Sequence, residues 1–143
     1  DAQKNYVAPN DISIAQAYTA VGTEGFAFPF GIYDEDKAVG FLMIGFNSAA
    51  LYRICGELPP SAMENNYSLW RLMIDAKYQN MGYGREAIKL ALAFIRSWPC
   101  GKAEYCALSY VPENEVAKRL YRSFGFVENG ETDDDEVVAV LKL

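Results

Sequence analysis

The clearest alternation of apolar and polar positions lies in the second half of the chain. Strand-forming residues dominate the segment from Tyr67 to Asp75 (YSLWRLMID), which has polar turns on both sides. From Gly84 to Trp98, apolar residues recur on one face of a helix that Pro99 and Gly101 end. This face contains Ile88, Ala91, Leu92, Ile95 and Trp98. We therefore predict a strand followed by an amphipathic helix.

A second strand and helix follow. The segment from Tyr105 to Val111 predicts the strand, and Pro112 and Asn114 open the helix, which Gly125 ends. The predicted buried stripe of this helix contains Val116, Ala117, Leu120, Tyr121 and Phe124. A final strand is predicted from Val137 to Leu143. The order strand, helix, strand, helix, strand predicts a right-handed crossover, a largely covered sheet and an α/β fold class.

The first half of the chain has weaker patterns. Asn10 or Asp11 can cap a short helix with apolar positions Ile14, Ala17, Tyr18 and Val21. A hairpin is predicted after Gly31, with its turn at residues 34–37 and its return strand through residues 39–44. Ser48 to Asn66 shows no strong period, so we expect a loop there, with a short strand near Leu51 to Ile54.

Length and composition fit one globular domain covering residues 1–143. The chain has 143 residues, of which 51% are hydrophobic and 14% aromatic, enough to form a core. No apolar run approaches the roughly 20 residues that cross a bilayer, and no signal peptide is visible. We expect a soluble, cytoplasmic protein that does not act at a membrane.

Charge and residue types narrow the chemistry. Thirteen basic and nineteen acidic residues give a net charge of −6, which argues against a nucleic-acid binder and slightly favours a cationic substrate. The chain has no histidine, which excludes a Ser-His-Asp triad, an imidazole base and a histidine-ligated metal. We interpret Cys55, Cys100 and Cys106 as reduced core thiols and expect no metal site. Any acid or base must be Tyr, Glu, Asp, Cys or Lys.

Two acidic runs, Asp34 to Asp36 and Asp133 to Glu136, are predicted to be turns between strands. Such runs are usually solvated hairpin tips, the interpretation we favour here. The alternative is that they attract a polycation by long-range steering.

The turn from Gln79 to Gly84 (QNMGYG) joins a predicted strand to the start of a predicted helix. Unpaired amides and the positive end of the helix dipole would favour an anion there, and Gly82 and Gly84 let a pyrophosphate approach the backbone. The alternative is a connection that needs glycine only for its backbone conformation. A Walker loop and a dinucleotide-binding GxGxxG motif are both absent, since no GK[ST] follows and Ala87 stands where the third glycine belongs.

Two motifs in this order resemble one family. The end of the predicted strand, Leu72-Met73-Ile74-Asp75, is followed by QNMGYG and later by NEVAKRLYRSFGF, from Asn114 to Phe126. Together they resemble the GNAT superfamily of N-acetyltransferases, and YSLWRLMID with QNMGYG is similar to its bacterial spermine/spermidine acetyltransferase branch. The residues that carry the resemblance are Gln79, Gly82, Gly84, Asn114, Tyr121, Gly125 and Phe126.

The resemblance implies an α/β fold with a mixed, mostly antiparallel sheet, a splayed central parallel strand pair and helices on both faces. The family opens with a strand and a longer first helix, and we expect residues 1–18 to begin after that strand, through either a shortened fold or a missing segment. The resemblance also implies acetyl-CoA as cosubstrate, a small-molecule amine as acceptor and a possible homodimer. The expected activity is direct acetyl transfer to a primary amine, with a polyamine such as spermidine or spermine favoured. Another amine, on an antibiotic or a protein, and a non-catalytic acetyl-CoA-binding module are the alternatives.

The resemblance further implies roles for individual residues. The pantetheine would pair with the strand backbone at Leu72, Met73 and Ile74, where one amide would face the thioester oxygen. Asn114 would bind the cofactor, although an N-cap role is equally compatible with its position. The pyrophosphate would take amides from Gln79, Asn80, Met81, Gly82, Tyr83, Gly84 and Arg85. Arg85, Lys118 and Arg122 are further candidates for phosphate contacts.

Tyr121 is the candidate general acid. A phenol with a pKa near about 10 can protonate the departing thiolate, whose thiol has a pKa near about 8.5 or above. The alternative is an ordinary core tyrosine on the apolar stripe. We assign no general base, because Glu24 and Asp75 are weak candidates and a water relay is equally compatible with the sequence. Asp75 is better explained as a cap of the turn that follows it.

Overall fold

The computed structural model describes residues 10–22, 24–56 and 58–143. They form four helices and a six-stranded sheet in the order β1-β2-β3-β4-β6-β5. The helices are α1 (Asn10–Val21), α2 (Ala49–Cys55), α3 (Tyr83–Ile95) and α4 (Glu115–Arg122). The strands are β1 (Phe26–Asp34), β2 (Lys37–Phe46), β3 (Tyr67–Ile74), β4 (Tyr105–Tyr110), β5 (Val127–Asp133) and β6 (Glu136–Lys142). None of the described helices is long and apolar enough to cross a membrane.

The parallel contact between β3 and β4 is short. All other strand pairs are antiparallel, whereas β3 and β4 run parallel and pair only at Tyr67 with Cys106 and at Ser68 with Ala107. Beyond these two pairs the strands diverge. Tyr67 anchors the closed end, because its hydroxyl donates to the Gly101 carbonyl (2.9 Å) and accepts from the Cys100 amide (3.0 Å). The predicted mixed sheet with a splayed parallel pair is confirmed.

A β-bulge in β3 lies just beyond the point of divergence. Met43 of β2 pairs with Arg71 and Ile44 pairs with Leu69, so that Trp70 is the extra residue on β3. A bulge bends its strand and increases the local twist. The bulge therefore contributes to turning the rest of β3 away from β4.

Both faces of the sheet are covered by helices, as the resemblance implies. Along β2, Leu42 and Ile44 pack in the same cluster as Ile88, Leu92 and Ile95 of α3. Phe41 and Met43 point to the opposite face, where they pack against Ala17 of α1. Because successive residues of a strand point to opposite faces, the nearly continuous apolar run of β2 packs against the helices on both faces of the sheet.

The structure corrects the sequence prediction for Leu51 to Ile54, which lie in helix α2 rather than in a strand. The helix has only seven residues, so its period is too short to recognise, and Gly56 ends it in a left-handed conformation (φ 78°). Strand β5 was also not predicted. Its sequence, VENGETD, is polar and largely exposed, as an edge strand that pairs only with β6 can be.

The predicted buried faces of two helices were wrong in part. In α1, Ile14 and Tyr18 are 54% and 85% exposed, while the buried residues are Ser13, Ala17 and Ala20. Small residues let the helix lie close to the sheet, so the larger side chains point outward. In α4, Val116 is 65% exposed, although Leu120, Tyr121 and Phe124 pack against the core. The side chain of Val21 lies outside the described residues.

Other local predictions were confirmed. Residues 34–37 and 133–136 form hairpin turns, with Glu35 and Asp134 at positive φ. Cys100 and Cys106 are free thiols, and burial raises the pKa of Cys106 to about 12, which argues against a reactive thiolate there. The side chain of Cys55 and all of residues 1–9, where the question of a missing first strand falls, lie outside the described residues.

Candidate active site

A cleft of 1390 Å³ opens where β3 and β4 separate. One end lies between the turn before α3 and helix α4, and the other lies among α1, α2 and the β5–β6 turn. The two ends differ in chemistry, because glycine-rich backbone and an arginine line the first, whereas carboxylates line the second. The cleft can therefore accommodate an elongated ligand with different groups at its two ends.

The diverging part of β3 forms one wall of the cleft. Leu72, Met73 and Ile74 pair on one side with β2, and the β4 side of the strand has no strand partner after Ser68. The side chains of Leu72 and Ile74 line the cleft, whereas Met73 packs on the opposite face of the sheet. This open backbone edge can pair with the amide groups of an extended ligand.

The turn that follows β3 is tied to the strand by side chains. Asp75 accepts a hydrogen bond from the Lys77 amide (3.0 Å), as predicted for a turn cap, and the Gln79 amide donates to the Ile74 carbonyl (3.1 Å). Asn80 and Gly82 both have positive φ, at 62° and 91°. Helix α3 then begins at Tyr83 and directs its first amides toward the cleft.

The two glycines of this turn have different roles. A Cβ atom on Gly82 would meet nothing within 4 Å, so glycine is favoured here by the left-handed backbone conformation and not by close packing. A Cβ on Gly84 would make ordinary contacts with Leu120 (3.6 Å) and Ile74 (3.7 Å). Of the residues predicted to contact the pyrophosphate, all line the cleft except Met81, whose side chain is 62% exposed.

Only one of the three basic residues predicted to contact the phosphates lines the cleft in the described part of the chain. Arg85 lines the cleft, donates to the Ser123 hydroxyl (3.0 Å) and lies over the Phe124 ring at 5.3 Å. Lys118 and Arg122 instead both pair with Glu128, at 3.1 and 3.4 Å. Arg85 is therefore the one of the three that the structure brings to the cleft.

Asn114 lies at the start of α4 and lines the cleft. Its side-chain oxygen accepts a hydrogen bond from the Ala117 amide at 3.1 Å, so the N-cap interpretation is confirmed. Its side-chain amide nitrogen has no protein hydrogen bond in the described part of the chain. A contact with a cofactor is compatible with the cap and stays a prediction.

Tyr121 is half-buried on α4 and lines the cleft. Its ring packs between Tyr110 and Phe126, with centroid distances of 5.8 and 6.0 Å. Among the described residues, no group hydrogen-bonds to its hydroxyl. Burial, with smaller effects of Glu136 and Tyr110, raises the pKa of Tyr121 to about 12, so the phenol is protonated at neutral pH. Tyr121 packs in the core and also presents a proton to the cleft.

The β5–β6 turn contributes polar groups that sequence reasoning did not place in the site. The Tyr52 hydroxyl donates to Asp133 at 2.6 Å, and the Ser109 hydroxyl donates to Glu136 and lies 3.5 Å from Asp133. Burial and Asp133 raise the pKa of Tyr52 well above its ordinary value. The interpretation of Asp133 to Glu136 as a merely solvated tip was therefore wrong for Asp133 and Glu136. Tyr52 was missed because its helix was predicted to be a strand.

Arg71 lies on the same wall, next to the bulge. It donates to the Trp70 carbonyl (2.7 Å) and to the Gln16 side-chain oxygen (3.2 Å), and its Nε is buried without a partner among the described residues. Burial lowers the pKa of Arg71, while Glu136, Tyr52 and Asp133 oppose that shift. Neither Glu24 nor Asp75, the weak candidates for a base, is among the described residues that line the cleft.

These features fit acetyl-CoA. The open edge of β3 suits the amides of pantetheine, and the helix start with Arg85 suits a diphosphate. Tyr121 lines the same cleft as the glycine-rich turn and the carboxylates, so its phenol is available to a thioester bound there.

Comparison with known proteins agrees with this assignment. A sequence profile of the family described as "Acetyltransferase (GNAT) family" matches residues 5–126. The chain is 35% identical over 120 residues to the spermine/spermidine N(1)-acetyltransferase of Bacillus subtilis (strain 168), a match that covers 80% of this chain and 70% of the relative. A probable spermine N(1)-acetyltransferase of Bacillus subtilis subsp. natto (strain BEST195) matches with the same identity and coverage.

Solved structures show the same fold. The PaiA N-acetyltransferase of Thermoplasma acidophilum, crystallised in complex with coenzyme A, superimposes with a TM-score of 0.60 at 17% identity. The match covers 82% of this chain and 61% of that protein, so the chain spans about six tenths of its length. The two-part motif, the splayed sheet and these similarities together show that the chain belongs to the GNAT family of acetyl-CoA-dependent N-acetyltransferases.

Proposed function

We propose that this protein transfers the acetyl group of acetyl-CoA to a primary amine of a polyamine such as spermidine or spermine. The observation that carries the proposal is the row of carboxylates from Asp133 to Glu136, which lines the cleft on the side away from the glycine-rich turn. The name of the Bacillus subtilis relative, a spermine/spermidine N(1)-acetyltransferase, supports the same choice of acceptor.

The cofactor end of the cleft would be formed by β3, the following turn and the start of α3. The backbone of Leu72, Met73 and Ile74 would pair with pantetheine, and the amides from Gln79 to Arg85 would bind the diphosphate. Asn114 would donate its free side-chain amide. Acetyl-CoA, when bound, supplies the activated thioester, and the chain's own residues orient it and supply protons.

Tyr121 would act at the reacting centre. Its hydroxyl, free of protein hydrogen bonds in the described part of the chain, would donate its proton to the departing sulfur. A β3 amide beyond Ser68 would donate a hydrogen bond to the carbonyl oxygen as negative charge develops there. The amine attacks the thioester directly, so no covalent enzyme intermediate is required.

The charge of the acceptor end would select a polycation. Four carboxylates, at residues 133–136, line this end together with a single cation, Arg71, among the described residues. Arg71 donates its hydrogen bonds to Trp70 and Gln16 and offsets only part of the negative charge of the four carboxylates. A polyamine carries several ammonium groups, so one can react while another is attracted by the remaining carboxylates.

The test compares coenzyme A release with spermidine, spermine and butylamine, the last offering a primary amine with one charge. We expect a higher kcat/KM for the polyamines than for butylamine, with a difference that shrinks as salt is added, because screening weakens charge attraction. Substituting both Asp134→Asn and Asp135→Asn should lower kcat/KM for spermidine and leave butylamine unchanged. Equal turnover of all three amines would favour a different acceptor, and cofactor binding without turnover would favour a non-catalytic module.

A further inference from the structure

The acceptor amine is an ammonium ion at neutral pH, and it must lose a proton before its nitrogen can attack. With no histidine in the chain, that proton must go to another group. Resting on the proposed function, we propose that Glu136 is the general base of the reaction and that Ser109 is its positioning residue.

The Glu136 carboxylate is oriented from the neighbouring strand. Glu136 is the first residue of β6, which pairs antiparallel with β4, and the Ser109 hydroxyl of β4 donates to its Oε2. Its Oε1 has no hydrogen-bond partner in the described part of the chain. One oxygen is therefore fixed while the other is available to accept a proton in the cleft.

The neighbouring carboxylates are less suited to this role. Asp133 is already engaged, because its Oδ2 accepts the Tyr52 hydroxyl at 2.6 Å and lies 3.5 Å from the Ser109 hydroxyl. Asp134 and Asp135 are exposed at the tip of the turn. Among residues 133–136, Glu136 is the one whose charge acts on the Tyr121 phenol and raises its pKa. Glu136 and Tyr121 both line the cleft, so a base and an acid are available to one bound ligand.

The proton balance is complete with these two side chains. Glu136 takes one proton from the ammonium, and the nitrogen then forms its bond to the carbonyl carbon as the carbon–sulfur bond breaks. Tyr121 gives its proton to the departing sulfur and is restored by the second proton that the nitrogen loses. Glu136 later releases its proton to solvent, so the products are the acetylated amine, coenzyme A and one proton.

The main test is Glu136→Gln, which keeps the side-chain size and an oxygen that can accept from Ser109 but removes the base. We expect kcat with spermidine to fall about 100-fold or more. The affinity for coenzyme A and the melting temperature should stay unchanged. Asp36→Asn, in the exposed turn of the other hairpin, removes the same charge outside the cleft and should retain full turnover. Equal kcat values for these two variants would overturn the proposal.

A pH profile separates a base from a merely structural carboxylate. Without a base, only the free amine reacts, so kcat/KM of Glu136→Gln should rise about tenfold per unit from about pH 7 to about pH 9, whereas the wild-type value should be nearly flat. The charged and titratable groups that face Glu136 are Tyr121 of α4, Tyr52 of α2, Arg71 of β3, and Asp133 with its turn. Parallel profiles for the two proteins would contradict the proposal.

Ser109 supplies a second test that does not alter the carboxylate. Ser109→Ala should lower kcat about tenfold with little change in KM, and Ser109→Thr, which keeps the hydroxyl, should restore most of the loss. If Glu136→Gln fails to fold, this pair decides the question, because full turnover of Ser109→Ala would overturn the proposal. Wild-type protein that releases no coenzyme A with any amine would remove the proposed function itself. Amine turnover that survives Glu136→Gln would remove only the base.

Discussion

Tyr110 and Tyr121 pack ring against ring, with centroids 5.8 Å apart, and their hydroxyl groups have opposite environments. The Tyr110 hydroxyl donates to Glu128 at 2.8 Å, whereas that of Tyr121 has no hydrogen-bond partner among the described residues. The two phenols therefore differ in that the Glu128 carboxylate binds one hydroxyl and not the other. The one without a partner is the one available to a ligand.

This pair gives a matched test of the proposed acid. Tyr121→Phe should lower kcat about 100-fold or more and leave coenzyme A affinity nearly unchanged, because the hydroxyl acts on the departing sulfur. Tyr110→Phe should keep turnover and lower the free energy of unfolding by about 1 to 2 kcal/mol, because it loses the bond to Glu128. Steady-state kinetics and urea denaturation of both variants check this. Loss of turnover in Tyr110→Phe alone would reverse the assignment.

The same tyrosines predict a loss of stability at high pH. Burial raises the pKa of both Tyr110 and Tyr121 to about 12, while tyrosines of the unfolded chain ionise near about 10. The unfolded chain therefore releases these protons first, so stability is fully present below about pH 10 and decreases as the pH rises toward about 12. Urea denaturation at a series of pH values should show this decrease, and it should be smaller in Tyr121→Phe. A flat profile above about pH 10 would contradict the prediction.

Asn114 allows capping to be separated from ligand binding. Asn114→Ala should lower the free energy of unfolding by about 0.5 to 2 kcal/mol, because the Ala117 amide loses its acceptor. Asn114→Asp keeps that acceptor and should stay close to wild-type stability, but it removes the side-chain amide donor and should weaken coenzyme A binding. Calorimetric titration measures the second effect. Unchanged affinity in Asn114→Asp would mean that the residue only caps α4.

The turn before α3 supplies another matched pair. Gly82→Ala forces a side chain into a left-handed backbone (φ 91°) and should lower the free energy of unfolding by about 1 to 2 kcal/mol. Gly84→Ala lies inside α3, where its Cβ would make ordinary contacts, and should hold or slightly raise stability. Urea denaturation of the two variants tests this difference, which equal losses would refute.

Much of the proposed cofactor end could be predicted from the sequence, because its signals are local. The strand β3, the turn with Gly82 and the amphipathic helix α3 follow one another along the chain, and each has a recognisable pattern. Ile88 and Ile95, predicted as core residues of α3, are fully buried. The turn between β3 and α3 could be predicted because residues close together in the sequence form it.

The proposed acceptor end could not be predicted, because its parts meet only in the folded chain. Tyr52 and Asp133 are 81 residues apart and form one hydrogen bond. Ser109 is a single polar residue within an apolar strand, and Glu136 is one of several acids in a turn. Short elements such as α2 and a polar edge strand such as β5 have weak patterns, since neighbouring strands and helices stabilise them.

The junction at Tyr67 and Ser68 has a mechanical consequence. Because β3 and β4 pair only at these two positions, hydrogen bonds join β1-β2-β3 to β4-β6-β5 at one corner of the sheet, and the cleft lies where the two strands separate beyond it. Side chains packed under that corner, such as Ile95 and Cys106, are fully buried and do not line the cleft. Because they pack against strands on both sides of this corner, we expect substitutions that change their volume to alter the width of the cleft, and with it the range of amines that fit, without any contact to a ligand.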